Sequence, residues 1–238
     1  VSGMVKEVAC LAADRLGGTA FLLDSLSGSH RVVVKTGAPA VTLDFSPMRG
    51  RTIEDDLVER DFTVNAMAVD LTSLSQGSAI VIDPFNGLTD ASGSVLRAVT
   101  EGAFAEDPLR CVRAVRLSHC CGLEVEERTV SLARSAALLL RGTAAERIRE
   151  ELVQIFSSRF CADAVRTLYG LGVIDVVAPV LSGWKDVQGY DLLGHSLSTL
   201  EEADRLIDQI SFGQISDGTF VSHCVELKAL LSRRIGPV

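Results

Sequence analysis

The chain reads as an α+β protein, a sheet-bearing N-terminal part followed by an all-helical part. Three observations carry this. Short apolar runs bounded by Gly, Ser, Pro and Asp recur up to about residue 99, which is the pattern of strands and turns. From Asp107 onward apolar residues recur at helical spacing, broken at Gly122, Gly142 and Gly172. At 238 residues, with 47% apolar and 23% charged side chains, the chain has ordinary globular composition and can bury a core in one or two domains. Strands first and helices second place an α+β head on a helical remainder.

Residues 4–16 put Val5, Val8, Ala9, Leu11, Ala12 and Leu16 on one helical stripe, and Gly17-Gly18 ends that helix. Residues 20–24 and 31–35 are strands, joined by a Ser/Gly-rich turn and most simply paired as an antiparallel hairpin. Residues 40–45 form a third strand. Thr52 followed by Asp55 marks a helix start. Phe62 to Leu71 is apolar enough to lie against a sheet. Residues 79–82 are a short buried strand closed by the turn Asp83-Pro84-Phe85-Asn86-Gly87, and residues 95–99 a last strand. Helices are predicted near 107–121, 127–140, 144–158, 161–171, 195–210 and 219–233, with 182–194 looser. No fixed-period repeat is present.

The net charge of −8 argues against a general nucleic-acid coat. The charge is uneven, however. Residues 1–96 carry 7 basic and 12 acidic side chains, residues 97–159 carry 10 and 9, and residues 160–238 carry 6 and 10. Any RNA contact is therefore expected in the middle segment. The 6 cysteines include no C-x-x-C pair and do not cluster with the 4 histidines, so reduced thiols in a cytoplasmic protein are expected rather than a zinc site. No apolar run is long enough to span a membrane, and the first residues do not read as a signal peptide. The start, which is not Met and has no strand before the first helix, reads as beginning mid-domain.

The most informative stretch is Glu106-Asp107-Pro108-Leu109-Arg110, followed at helical spacing by Arg113 and Arg116. A fixed carboxylate accepts from an exocyclic amine, and a fixed guanidinium donates to ring nitrogens or a carbonyl, so together they can read a base edge. The same residues also suit a plain helix start, with Asp107 as N-cap and Pro108 at the first helical position. Both readings are compatible, because a cap would hold the carboxylate still. Arg110, Arg113 and Arg116 share a helix face, either a solvated stripe or a wall facing phosphates or a base. Arg60-Asp61 and Asn65 stand one helical turn apart. On a helix Arg60 would reach a phosphate and Asp61 or Asn65 a ribose hydroxyl; the plain alternative is an ion pair on a solvated helix. Asp44 ends a strand, as a metal-binding carboxylate or a turn former. Glu146-Arg147 through Glu150-Glu151 reads as pairs within a helix and contacts between helices. His195 reads as a satisfied helix histidine.

Taken together and in this order, these stretches resemble the bacterial tRNA nucleotidyltransferase and poly(A) polymerase family, which includes CCA-adding enzymes. Arg60-Asp61-Phe62-Thr63-Val64-Asn65-Ala66 looks like the family's ribose- and triphosphate-contacting motif, and Asp83-Pro84-Phe85-Asn86-Gly87 like its flexible head–neck element. Glu106 to Arg110 looks like its amino-acid template, and Glu146 to Leu152 like its neck-stabilising motif. Asp44-Phe45-Ser46-Pro47-Met48-Arg49 matches the strand bearing the third catalytic carboxylate.

The resemblance implies a partial nucleotidyltransferase head with a mixed β-sheet over 1–96, a helical neck over 97–180 that binds nucleotide and RNA, and a helical body over 181–238. It implies template-independent addition of CMP or AMP to RNA 3′ ends, in tRNA CCA-end maturation or polyadenylation. Mg²⁺ would be the cofactor, and ATP, CTP and the tRNA 3′ end the partners. Asp107 and Arg110, helped by Arg113 and Arg116, would select the base; Arg60, Asp61 and Asn65 would hold ribose and phosphates; Asp44 would bind metal. The family's D-x-D carboxylate pair is absent, so the chain as given is expected to be inactive or nearly so. Residues 189–204 resemble the start of a metal-dependent phosphohydrolase domain with His195 as first ligand. Arg233-Arg234 stands where its His-Asp pair belongs, and arginine cannot ligate, so no phosphohydrolase activity is expected. The rival reading is a non-catalytic RNA- or nucleotide-binding remnant. The resemblance does not fix the oligomeric state or the nucleotide added.

Overall fold

The computed structural model describes residues 2–25, 27–35, 40–158, 161–181 and 192–211. The chain divides into two compact units, residues 1–60 with 68–84, and residues 61–67 with 85–238.

In the first unit, helix α1 (Ser2–Leu16) packs on a three-stranded antiparallel sheet of order β1 (Thr19–Asp24), β2 (Ser29–Val34), β3 (Val41–Phe45). The helix buries Ala9 and Ala13 against Val32 and Val34 of the central strand, with small residues allowing close approach. The expected stripe is therefore only partly on the core side, since Val8 and Leu11 are exposed. Gly17 ends the helix in the left-handed region at φ 64°, and the Gly18 N–H returns to the Ala13 carbonyl at 2.8 Å, a Schellman closure. Helix α2 (Ile53–Val58) starts at the expected Thr52–Asp55 capping box. A second, two-stranded antiparallel sheet joins β4 (Ala68–Val69) to β5 (Val81–Ile82), with the short helix α3 (Leu71–Ser75) between them. The expected burial of 79–82 does not hold. This pair has no third strand among the described residues, and Ile80 and Val81 are exposed.

The second unit starts from a buried segment. Phe62 bridges to Ala98 and packs edge-on against Phe104 at 6.2 Å between ring centroids. Residues 63–65 form one 3₁₀ turn rather than the α-helix that the spacing of Asp61 and Asn65 suggests. The elements that follow are α4 (Gly87–Ser92), β6 (Val95–Leu96), α5 (Ala103–Glu106), α6 (Arg110–Cys121), β7 (Glu124–Val125), α7 (Glu127–Ala136), α8 (Ala145–Phe156), α9 (Cys161–Gly170), α10 (Val173–Val177) and α11 (Leu192–Ser211). Strand β6 falls within the strand predicted over 95–99, and its parallel pairing with β7 has no signal in the sequence. The predicted 127–140 helix tightens into a 3₁₀ turn over Ala137–Gly142, which brings Ala137 and Leu140 to the core side while Leu138 and Leu139 stay exposed. The predicted 219–233 helix lies outside the described residues.

Helix α6 is central, burying Cys111, Val112, Ala114 and Val115 in a core with Phe62, Leu96, Phe104, Leu140, Ile155, Leu168 and Val173. Burial pushes the Cys111 thiol up to about 12, and its Sγ donates to the Ala133 carbonyl. Phe62 and Leu96 belong to this core, which is why residues 61–67 and 85–96, expected in the head, cluster with the helices. Beneath them lies a polar network. Asp90 accepts from Thr63 Oγ1 at 2.7 Å and Arg97 Nε at 3.0 Å; Arg97 also pairs with Glu126, and Thr129 links Glu126 to the Ala98 N–H. Burial raises the Asp90 carboxyl, but the hydrogen bonds from Arg97 and Thr63 outweigh it and hold its pKa below the ordinary value.

Gly87 opens α4 against the 63–67 turn, and a Cβ there would stand 2.2 Å from the Thr63 carbonyl oxygen and 2.9 Å from Met67 Cγ. The first obstacle is backbone, which cannot rotate away. Gly87→Ala should therefore lower stability by about 1–3 kcal/mol, the usual cost of overpacking, read as a lower urea midpoint with an unchanged slope. An unchanged midpoint would show that this turn is loosely packed.

Candidate functional site

Asp107 sits between α5 and α6. Pro108 cannot donate, and the first turn of the following helix is 3₁₀-like, with the Arg110 N–H bonding the Asp107 carbonyl at 3.1 Å. The expected capping contact is present in a modified form: Asp107 Oδ1 accepts from the Leu109 N–H at 3.3 Å, one turn ahead of the α-helix proper, which begins at Arg110.

The principal partner of Asp107 comes from α8. Arg147 Nη2 donates to Oδ2 at 2.8 Å and Nη1 to Oδ1 at 3.3 Å, a two-pronged contact across 40 residues of sequence. The pair lines a cleft of about 440 Å³ with Ala105, Glu106, Pro108, Leu139 and residues 142–144. That volume falls in the range of small-molecule sites. The sequence marked Glu146-Arg147 as a source of contacts between helices, but no local signal could give Asp107 as its partner.

The three α6 arginines do not act as one wall. Arg110 is mostly buried, donating to the Ala103 carbonyl at 3.0 Å and standing 3.8 Å from Glu106. Arg113 Nε pairs with Asp61 Oδ2 at 2.9 Å. Arg116 Nε pairs with Glu151 Oε2 at 2.5 Å, with both side chains largely buried. At this helix face, then, each guanidinium has a protein acceptor.

Asp61 is buried and accepts from its neighbour's backbone, Phe62 N–H at 2.8 Å, and from Asn65 Nδ2 at 3.1 Å, besides Arg113. Asp61 and Asn65 thus do meet, through a 3₁₀ turn instead of a helix face. Arg60 belongs to the first unit, where it pairs with the buried Asp56 at 2.6 Å.

Asp44 lies on β3 opposite Arg31 of β2, and the two side chains join through contacts of 2.7 and 2.8 Å. The Arg31 hydrogen bond keeps the Asp44 carboxyl below the usual carboxylate range. The donor set does not fit a divalent ion. Asp44 is held by a guanidinium, and no group of three potential His, Cys, Asp or Glu ligands occurs among the described residues. His195 lies in α11, while Arg233 and Arg234 fall outside the described residues. No helix among the described residues is long and apolar enough to cross a membrane.

Residues 27–97 match the family described as "Poly A polymerase head domain", and residues 122–184 the one described as "Probable RNA and SrmB- binding site of polymerase A". The chain is 44% identical over 143 residues to the CC-adding tRNA nucleotidyltransferase of Geobacter sulfurreducens, covering 60% of the chain and 32% of that protein. It is 36% identical over 201 residues to the A-adding tRNA nucleotidyltransferase of Deinococcus radiodurans, covering 82% of the chain and 43% of that protein. The fold is similar to that of the Thermotoga maritima CCA-adding enzyme complexed with tRNA, with a TM-score of 0.63 and 30% identity over 74% of this chain and 42% of that one. The chain thus spans about a third to two fifths of the length of these relatives.

The Arg116–Glu151 pair ties α6 to α8. Glu151→Gln leaves a largely buried guanidinium uncompensated and should cost about 3 kcal/mol, whereas Arg116→Met combined with Glu151→Leu should fall near wild type. Equal losses in the single and double variants, measured by denaturant unfolding, would refute this account of the pair.

Proposed function

The chain belongs to the tRNA nucleotidyltransferase and poly(A) polymerase family, and from that premise we propose that it supplies the nucleotide-selecting and RNA-binding parts of an enzyme that adds CMP or AMP to tRNA 3′ ends. The observation that carries this is the cleft at Asp107. Two stretches that carry the family likeness, Glu106–Arg110 and Glu146–Leu152, meet there through the Asp107–Arg147 pair. A carboxylate in such a cleft accepts from the exocyclic amine of adenine or cytosine, and uracil offers a carbonyl in its place. The likeness to both CC-adding and A-adding enzymes supports one template serving more than one base. A cytoplasmic location goes with this reading.

Asp61, Asn65 and Arg113 enter it as the structure behind the template: with Asp61 occupied by protein donors, its part is to hold α6 rather than a ribose. Arg110 braces α5 and Arg116 braces α8. Arg60 remains our candidate for phosphate contact.

Addition of a nucleotide to an RNA 3′-hydroxyl draws on divalent metal to activate the hydroxyl and stabilise pyrophosphate. Because the described carboxylates do not suit that role, Mg²⁺ binding at Asp44 is not part of the proposed working of this chain. The same point favours a second reading, a binding module without its own chemistry.

Equilibrium binding of labelled ATP, CTP and UTP to this chain tests the first reading. ATP and CTP should bind more tightly than UTP, and Asp107→Ala should abolish the difference; equal discrimination by the variant would refute the role of Asp107. Incubation with Mg²⁺, labelled ATP or CTP and a tRNA lacking its 3′ end separates the two readings. Incorporation establishes a catalyst, and binding without incorporation establishes the module.

A further inference from the structure

The proposed template carboxylate is not waiting empty. Asp107 offers two oxygens, and a guanidinium fork from Arg147 engages both. That fork covers the edge of the carboxylate that a base amine would approach, because both groups bind in the carboxylate plane. Asp107 does not depend on Arg147 for its position, since the Leu109 N–H anchors Oδ1 from its own backbone turn. Arg147 itself is half exposed on the cleft wall, on the first turn of α8, and its stem can swing toward solvent without unpacking the core.

We propose that Arg147 is a competitor for Asp107, an internal guanidinium that a base must displace, and that this competition weakens the binding of adenine and cytosine nucleotides. The proposal rests on the nucleotide-binding reading of this cleft. An adenine or cytosine amine replaces one of the two Arg147 hydrogen bonds, so the net gain is the difference between two similar bonds. Uracil has a carbonyl at the position of that amine, which repels the carboxylate, and so gains less when Arg147 leaves.

Removing the competitor should therefore act on one class of base. Arg147→Ala also removes a positive charge, which weakens the binding of every triphosphate alike. The informative quantity is the ratio of affinities, ATP over UTP and CTP over UTP. A merely structural role would lower all three affinities and leave the ratios where they were.

The experiment is equilibrium binding of ATP, CTP and UTP to the wild-type chain, Arg147→Ala and Arg147→Lys, with far-ultraviolet circular dichroism and a melting curve on each. The expected result is a rise in both ratios of about tenfold in Arg147→Ala, the worth of one charge-assisted hydrogen bond no longer surrendered. Arg147→Lys, whose single ammonium cannot engage both oxygens as a fork, should give intermediate ratios. Unchanged or reduced ratios in folded Arg147→Ala would overturn the competitor while leaving the nucleotide-binding reading intact. A wild-type chain that binds none of the three would overturn that reading and this inference with it.

Discussion

The buried Asp61 carboxylate is the interaction on which the helical unit depends. It receives the Phe62 N–H, the Asn65 amide and the Arg113 guanidinium, so one side chain closes the 61–65 turn and fastens it to α6. Helix α6 in turn reaches α8 through Arg116 and Glu151, and α8 carries the exposed Arg147 that faces Asp107. The result is a relay of ion pairs running from the buried segment to α8. Such pairs are poor sources of net stability, because desolvating the charges costs about as much as their attraction returns. Their effect is on geometry. Apolar contacts among Val112, Val115 and Ile155 would tolerate a shift of one helix along another, and a guanidinium matched to a carboxylate tolerates far less.

This relay also changes how a row of arginines should be understood. Arg110, Arg113 and Arg116 lie at helical spacing and suggest a cationic wall, yet each meets an acceptor on a different partner: Ala103, Asp61 and Glu151. The unit can therefore carry many arginines without presenting them to solvent as a continuous field. In the first unit the same economy applies to Asp44, neutralised across the sheet by Arg31, and to Asp56, neutralised by Arg60.

Much of the fold was legible because its signals are local. The Thr52–Asp55 box, the Gly17-Gly18 stop, the hairpin between β1 and β2 and the helix break at Gly122 all follow from neighbouring residues, and each is found where the sequence put it. What escaped was non-local. The two-residue strand β7 is too short to leave a pattern, so its parallel pairing with the predicted β6 went unseen, and Val8 and Leu11 are apolar without being buried because only the small face of α1 meets the sheet. At the site, Asp107 stood out through its Pro108 and Arg110 neighbours. Arg147 stood out only as a source of contacts between helices, since its partner lies 40 residues away.

Helix α6 carries cysteines at both ends in opposite environments. Cys111 is fully buried, with its thiol raised to about 12, while Cys120 and Cys121 are exposed at the far end. A thiol-directed reagent therefore meets one helix with two clocks. The exposed pair reacts on the time scale of the reagent, and Cys111 reacts only when the core around Phe62 and Leu140 opens. The lag between the two is a direct reading of how often the scaffold behind the cleft comes apart, obtained without denaturant and without introducing any foreign label site.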